Sequence, residues 1–244
     1  MNFFCFSLLL ICQIAIAQEP KKGFGLSEKK GFGASQLDSL NVSWFYNWDL
    51  ESKINTKIEF VPMIFSLKKI KALKHYNILL TFNEPDHSKQ ANISSFEANE
   101  KWNEIAAKSH QIGSPALAGN LLKDSNWLDK FILSNTKINF ICIHWYKGCN
   151  SNKFIADIQK IIKKYNKPVW ITEFAPQTAS NSKKEPYKFK QDEINQFILK
   201  VCNWMNTESM VYRYAWHDSK NGNTALFDSN GHLTETGKCY AKIK

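Results

Sequence analysis

The sequence lacks the short motifs that mark several common enzyme classes. Neither an HExxH helix nor a CxxC pair occurs among its six histidines and six cysteines, so a metal site is not predicted. The tripeptide GFG occurs at 23–25 and 31–33, without the third glycine of a dinucleotide-binding loop. A GxSxG elbow is also absent, which excludes the usual serine hydrolases. We therefore expect neither a metal nor a cofactor.

Acidic residues are few, because 22 aspartates and glutamates stand against 32 lysines and arginines and leave a formal net charge of +10. This balance suits nucleic acid, an acidic polymer, or only a soluble surface. No basic helix interleaved with aromatic residues occurs, and lysines such as Lys68 and Lys71 fit the solvated face of a helix. Nucleic acid is therefore not an expected partner.

Charge is missing altogether from residues 1–17, which contain an apolar run and end in Ala15-Ile16-Ala17. This small-x-small ending before a polar segment predicts a cleaved signal peptide. A membrane anchor would need about 20 apolar residues, and a lipoprotein signal favours a small residue where Ile11 precedes Cys12. We expect a secreted (extracellular or periplasmic) protein without stable membrane insertion, with a linker at 18–28 and one catalytic domain at 29–244.

Four cysteines follow the predicted cleavage point, namely Cys142, Cys149, Cys202 and Cys239. Four cysteines permit three fully paired connectivities, which sequence alone does not distinguish. Strand alternation places Cys142 on the face of His144 and Tyr146, which favours a buried free thiol at that position.

Strand and helix patterns alternate along the rest of the chain, which is 43% hydrophobic and 14% aromatic. Strands are predicted at 42–48, 59–65, 78–82, 138–145, 168–173 and 211–216, and weaker ones at 31–34 and 112–114. Helices are predicted at 67–76, 95–109, 125–134, 151–165, 192–205 and 235–242, and Ser94 with Glu97 forms a capping box. The alternation predicts an α/β protein, a single lean (β/α)8 TIM barrel with short helices and about 28 residues per unit. A doubly wound open sheet is the structural alternative.

Two glutamates end apolar strands, Glu84 after LLTFN and Glu173 after VWIT. Their spacing corresponds to three βα units, which places Glu84 on strand four and Glu173 on strand seven of one barrel mouth. Facing carboxylates suit glycoside hydrolysis, in which one donates a proton and the other attacks the anomeric carbon or activates water. The structural alternative is that each glutamate pairs with a lysine or caps a helix.

Aromatic residues at the same strand ends suit a polysaccharide groove, because sugars stack their C–H faces on aromatic rings. We predict substrate contacts from Tyr46, Trp48, Trp145, Tyr146 and Trp216. By contrast, alternation places Trp170 on the strand face opposite Glu173, so we expect its ring to pack outward against the helices.

Eight segments in one order resemble glycoside hydrolase family 128 (GH128): SWFYNWD (43–49), FVPMIF (60–65), FNEPD (82–86), GSPA (113–116), HWY (144–146), PVWITEFA (168–175), RYAW (213–216) and LTxxG (233–237). The resemblance implies a (β/α)8 barrel of retaining β-1,3-glucanases, with Glu84 as the acid/base and Glu173 as the nucleophile. It also implies that Asn83 holds the substrate's 2-hydroxyl. By the same resemblance, the subsites around the cut are lined by His144, Trp145, Tyr146 and Trp216.

Two residues depart from the family pattern: Phe65 stands where the family usually has tryptophan, and His217 stands where an aromatic is common. Both concern the subsites rather than the reacting carboxylates. Retention predicts carboxyl groups about 5 to 5.5 Å apart, and inversion about 6.5 to 9.5 Å. We expect a monomer that hydrolyses β-glucan. The alternative is a non-catalytic β-glucan-binding protein at the cell surface that uses the same groove.

Overall fold

The computed structural model describes residues 20–134, 137–177, 184–217 and 222–244. The predicted signal peptide lies outside these residues and stays a prediction. Among the described helices, none combines the length and apolar character needed to cross a membrane.

Within the described residues, nine parallel strands form the centre of the molecule. They are β1 (Lys22–Gly25), β2 (Trp44–Tyr46), β3 (Glu59–Phe60), β4 (Met63–Ile64), β5 (Tyr76–Asn83), β6 (Ser109–Ala116), β7 (Ile141–Trp145), β8 (Val169–Phe174) and β9 (Val211–His217). Hydrogen bonds join them into two sheets, in the orders β3-β2-β1-β9-β8-β7 and β4-β5-β6. Each neighbour in these orders is paired in parallel, as the prediction of βα units requires.

The two sheets meet at both edges. When the short strands β3 and β4 are counted together as one position, the described strands occupy eight positions that follow one another in chain order. On one side β3 pairs with β2 and β4 with β5, and Pro62, which lacks an N–H donor, separates the two short strands. On the other side parallel bridges join Gly113 to Phe140 and Leu117 to Ile143. The hydrogen-bond ladder is interrupted at these edges, but the fold class is the predicted barrel-like α/β fold. β5 is the fourth strand position and β8 the seventh.

Helices follow most strands. They are α1 (Ala34–Leu40), α2 (Ser95–Ala106), α3 (Trp127–Ile132), α4 (Ser151–Tyr165), α5 (Gln191–Thr207) and α6 (Glu235–Ala241), with 3₁₀ turns at Glu28–Lys30 and Leu67–Ala72. The capping box is confirmed, since Glu97 N–H donates to Ser94 Oγ and Ser94 N–H donates to Glu97 Oε2. The helix predicted at 67–76 is a 3₁₀ turn, and α1 was not predicted.

The prediction for the start of the domain was wrong. Residues 22–25, assigned to a linker, are β1, which pairs with both β2 and β9, whereas α1 begins where a weak strand was predicted. Glycine is uncommon in strands, but here it makes room for bulky neighbours. A Cβ atom on Gly23 would lie 2.3 Å from the Trp44 ring, and one on Gly25 would lie 3.1 Å from Trp48.

Inside the strands, a compact core contains Trp44, Met63, Leu80, Phe140, Cys142 and Trp170. The Arg213 guanidinium lies 4.7 Å from the Trp170 ring centre and pairs with Glu59 at 2.7 Å. Cys142 is a buried free thiol, as predicted, and Cys149, Cys202 and Cys239 are also free. None of the three possible pairings is therefore formed.

The outward orientation predicted for Trp170 was also wrong, because β8 contains a bulge. Cys142 pairs with Trp170 and His144 pairs with Glu173. A step of two residues along β7 therefore matches a step of three residues along β8. The extra residue reverses the alternation. Trp170 and Glu173 therefore face the same way, and Trp170 stacks on Phe140 inside the barrel.

Candidate active site

The two predicted carboxylates lie together at one mouth of the barrel. Glu84 directly follows β5, and Glu173 lies near the end of β8. One oxygen of each carboxylate and a ring nitrogen of His144 lie within 4.8 Å of one another. The three-unit spacing in the sequence thus corresponds to side chains that share one site.

Glu173 is held by three donors. Trp48 Nε1 donates to Oε1 at 2.8 Å, and Tyr146 Oη donates to Oε2 at 2.6 Å. Tyr46 Oη lies 3.2 Å from Oε1 and shares its single proton with Thr172 O, at 3.0 Å. The residue is 5% exposed, and burial alone would raise its pKa. The charge of nearby imidazoles and these hydrogen bonds outweigh burial, so the pKa of Glu173 lies below its ordinary value. Glu173 is therefore held in its ionised form.

His144 lies between the two carboxylates. Its Nδ1 is 3.0 Å from Glu84 Oε1 and 3.6 Å from Glu173 Oε2. Burial lowers the pKa of His144, but the charges of Glu173 and Glu84 and the contact with Glu84 outweigh burial, so the pKa is raised. The imidazole can therefore carry positive charge between the two acids.

Glu84 has a different environment and an unusual backbone. Its φ is +46°, a left-handed conformation that costs a non-glycine residue about 1–2 kcal/mol. Neighbouring contacts maintain it: Glu84 N–H donates to Ala116 O, and Asp86 accepts from the backbone of Ala118 and Gly119. Among the described residues, its Oε2 accepts no hydrogen bond, so one carboxyl oxygen is available to a ligand.

Trp48 also has a left-handed backbone, with φ +61°. The preceding residue secures it, because Asn47 Nδ2 donates to Glu28 Oε1 and to Glu51 O. The Trp48 ring is half-buried and meets the edge of His217 at a centroid distance of 5.9 Å. The ring therefore combines a hydrogen bond to Glu173 with a surface exposed at the mouth.

Glu84, His144 and Glu173 also form the one group within the described ranges whose atoms are spaced to bind a cation. Their surroundings argue against a metal. Donors from Trp48, Tyr46 and Tyr146 take up to three of the about four lone-pair sites of the Glu173 carboxylate, which leaves little for a cation. This arrangement suits a free carboxylate.

The structure brings most of the predicted site residues together, with different roles. Trp48 and Tyr146 are half-buried at the mouth, whereas Tyr46 is fully buried and reaches Glu173 from the barrel interior. Asn83 is 4% exposed, and its Oδ1 has no partner in the described part of the chain. Tyr46 therefore positions Glu173 and is not available to contact substrate.

Two predicted groove residues, Trp145 and Trp216, require correction. Trp145 is 1% exposed and donates to Asp157 on α4, while Trp216 is fully buried and donates to Thr224 O. Side chains alternate along a strand, and the residues next to each tryptophan point into the barrel. Both tryptophan rings therefore point outward. They pack behind the site and do not line it.

Sequence reasoning placed His217 near the subsites but did not include it among the predicted site residues. Its ring lies edge-on to Trp48 and Tyr146, at centroid distances of 5.9 and 5.5 Å. Its Nδ1 is buried, without a partner among the described residues. The departure from the family pattern after RYAW was the available signal, since it put a polar ring at a strand end.

Comparison with known proteins agrees with the fold and the motifs. Residues 24–240 match the family described as Glycosyl hydrolase catalytic core. Alkali-sensitive linkage protein 1 of Schizosaccharomyces pombe is 27% identical over 220 residues, covering 82% of this chain and 40% of that protein. The chain thus spans less than half the length of this relative.

Two solved structures share the fold at 27% sequence identity. A variant of a GH128 subgroup I endo-β-1,3-glucanase from Amycolatopsis mediterranei, in complex with laminaripentaose, has a TM-score of 0.81 and is matched over 92% of this chain and 100% of that one. A GH128 subgroup III curdlan-specific exo-β-1,3-glucanase from Blastomyces gilchristii, in complex with glucose, has a TM-score of 0.71 and is matched over 91% and 98%.

Proposed function

Because the chain belongs to the Glycosyl hydrolase catalytic core family, we propose that it is a retaining β-1,3-glucanase with Glu173 as nucleophile and Glu84 as general acid/base. The observation that carries the proposal is the pair of carboxylates in unlike environments, within 4.8 Å of each other. This proximity favours the short separation typical of retention over the wider gap that inversion needs for a water molecule. The β-1,3 linkage rests on the two solved relatives.

The unlike environments divide the roles. Glu173 has both oxygens hydrogen-bonded and a lowered pKa, which suits a nucleophile that must be ionised before substrate arrives. Glu84 contacts His144 through Oε1 and leaves Oε2 for the glucosidic oxygen. A carboxyl group with a free oxygen at the mouth can give a proton to the leaving group and later take one from water.

The reaction then proceeds in two steps. Glu173 attacks the anomeric carbon while Glu84 protonates the departing oxygen, and a glucosyl-enzyme intermediate forms. Water then enters, Glu84 removes its proton, and the bond to Glu173 breaks with net retention of configuration. The orphaned Oδ1 of Asn83 beside Glu84 suits contact with the 2-hydroxyl.

Hydrolysis of laminarin followed by proton NMR tests this proposal. We expect oligosaccharides from β-1,3-glucan, with the β-anomer appearing first and the α-anomer growing later by mutarotation. Matched incubations with β-1,4 and mixed-linkage glucans control for linkage. An α-anomer appearing first would indicate inversion. If the protein binds glucan in a pull-down but releases no oligosaccharides, the alternative of a non-catalytic binding protein would be supported instead.

The lowered pKa of Glu173 predicts the acid side of the pH profile. Since the nucleophile must be ionised, kcat/KM should fall only as pH drops below the ordinary glutamate range of about 4.3. Tyr146→Phe removes the 2.6 Å hydrogen bond, which raises the pKa of Glu173. We expect the acid limb to move upward by about one pH unit.

Tyr165→Phe is the matched control for this prediction, since Tyr165 Oη also donates to a carboxylate, Asp129, but outside the site. Its pH profile should coincide with that of the wild type. An acid limb that stays in place in Tyr146→Phe would contradict the role given to Tyr146.

A further inference from the structure

A buried carboxylate with no part in the proposed chemistry lies on α4. Phe154, Ile158 and Ile161 form the buried stripe of this helix, and Asp157, 5% exposed, lies on the same stripe. A charge at such a position is costly unless it is paired. Because replacing a buried ion pair with apolar residues of similar size is often neutral or even stabilising, stability alone is a weak reason for Asp157.

Asp157 binds the residues on both sides of Tyr146. Its Oδ2 accepts from Trp145 Nε1 at 3.1 Å and from Lys147 Nζ at 3.0 Å. Burial raises the pKa of Asp157, but these two hydrogen bonds and the lysine charge outweigh it, so the pKa is lower than usual. An ionised carboxylate therefore anchors the end of β7 to α4.

Tyr146 lies between the two anchored residues and points the other way. Along β7 the side chains alternate, so Trp145 faces α4 while His144 and Tyr146 face the mouth. Tyr146 is the first residue after β7. Both of its neighbours are hydrogen-bonded to Asp157, and its own hydroxyl lies 2.6 Å from Glu173 Oε2.

We propose that Asp157 is a positioning residue, which acts through Trp145 and Lys147 to hold Tyr146 against the nucleophile Glu173. Its effect on the rate of hydrolysis rests on the function proposed above. Its effect on the hydrogen bond between Tyr146 and Glu173 does not, because that bond exists in the free protein.

The other groups that face Glu173 come from several strands, and one of them, His144, lies on β7 itself. They are Tyr46 and Trp48 at the end of β2, Glu84 after β5, His144 on β7 and His217 on β9. The hydrogen bonds and ion pairs of Asp157 in the described part of the chain go to Trp145, Lys147 and Lys153. A change at Asp157 should therefore reach Glu173 through the β7 segment.

The test is Asp157→Asn, with Glu173 titrated by NMR in protein labelled with ¹³C at glutamate carboxyl carbons. The Glu173 signal is identified by its loss in Glu173→Gln. We expect the pKa of Glu173 to rise by about half a unit, less than in Tyr146→Phe, because an asparagine oxygen still accepts a hydrogen bond and the bond from Tyr146 is weakened rather than removed. With laminarin, kcat should fall by about tenfold while KM changes little.

Asp129→Asn is the matched control. Asp129 accepts from Lys164 Nζ at 2.9 Å and from Tyr165 Oη at 2.8 Å, so it resembles Asp157 in its partners but lies outside the site. This variant should leave the Glu173 titration and kcat unchanged. Lys147→Met is a second variant at a partly exposed position, and it should shift the titration in the same direction by less.

A double variant tests whether the effect runs through Tyr146. In the Tyr146→Phe background, Asp157→Asn should shift the Glu173 titration no further. A wild-type titration in Asp157→Asn, or a full additional shift in the double variant, would overturn the proposal. If the wild type releases no oligosaccharide but the Glu173 shift is found, the positioning role stands and the proposed function fails.

Discussion

Replacing Glu173 with glutamine should reduce laminarin hydrolysis by about 10⁴-fold or more, the largest effect expected of any single substitution in this chain. A glutamine side chain cannot form the ester-type bond to the anomeric carbon. It has the same shape, and its amide oxygen can still accept from Trp48 and Tyr46. The loss should therefore be chemical, with fold and substrate binding retained.

Two measurements on the variant separate that outcome from simple misfolding, and a third, on the wild type, identifies the nucleophile. The variant should melt within a few degrees of the wild type, and calorimetry should still detect binding of laminari-oligosaccharides. In the wild type, a 2-fluoro-substituted laminaribiosyl fluoride should leave a covalent adduct on the peptide that contains Glu173. Near wild-type hydrolysis by Glu173→Gln, or an adduct on another residue, would remove Glu173 from the role of nucleophile.

The arrangement of the barrel could be predicted largely because its strands are apolar and regularly spaced. The spacing of Glu84 and Glu173 predicted the fourth and seventh strands, and β5 and β8 occupy those positions. The resemblance to GH128 is confirmed by the family match over residues 24–240 together with the solved GH128 structures at 27% identity. The first strand was missed because its inward residues, Gly23 and Gly25, have no side chain, and the space they leave is filled by Trp44 and Trp48.

The positions of the two glutamates of the site could be predicted from the sequence, and those of the aromatic residues only in part. Their strand-end positions and the family resemblance both assigned Trp145 and Trp216 to the groove, although alternation already places Trp145 opposite His144 and Tyr146. Alternation itself failed at Trp170, because a bulge in β8 inserts one residue before Glu173. A bulge depends on pairing with neighbouring strands, and no local sequence signal marks it here.

The burial of Asp157 could be predicted from the sequence, but its contacts could not. Its place in the α4 pattern, among Phe154, Ile158 and Ile161, can be read from the sequence, but its partners on the β7 segment depend on how α4 packs. Sequence spacing identifies residues that share a face of one element. Contacts between elements, such as the one that secures Tyr146, require the folded structure.

Replacing Glu84 with alanine should produce the second-largest loss, on the order of 10² to 10⁴ in kcat/KM for laminarin, because a glucosyl leaving group needs a proton. A dinitrophenyl β-laminaribioside needs no such help, so its first step should stay fast. Water would then attack the intermediate without a base. We expect a burst of dinitrophenol followed by slow turnover, as the glucosyl-enzyme on Glu173 accumulates.

Azide provides the decisive control, since it is nucleophilic without losing a proton. Added to Glu84→Ala, azide should speed the slow step and yield a β-glycosyl azide, because the intermediate is attacked from the face that water normally uses. With Glu173→Ala there is no intermediate, so azide should occupy the nucleophile's side and give the α-azide. If the two variants gave the opposite products, the roles of Glu84 and Glu173 would be exchanged, and the hydrogen bonds on Glu173 would need another explanation.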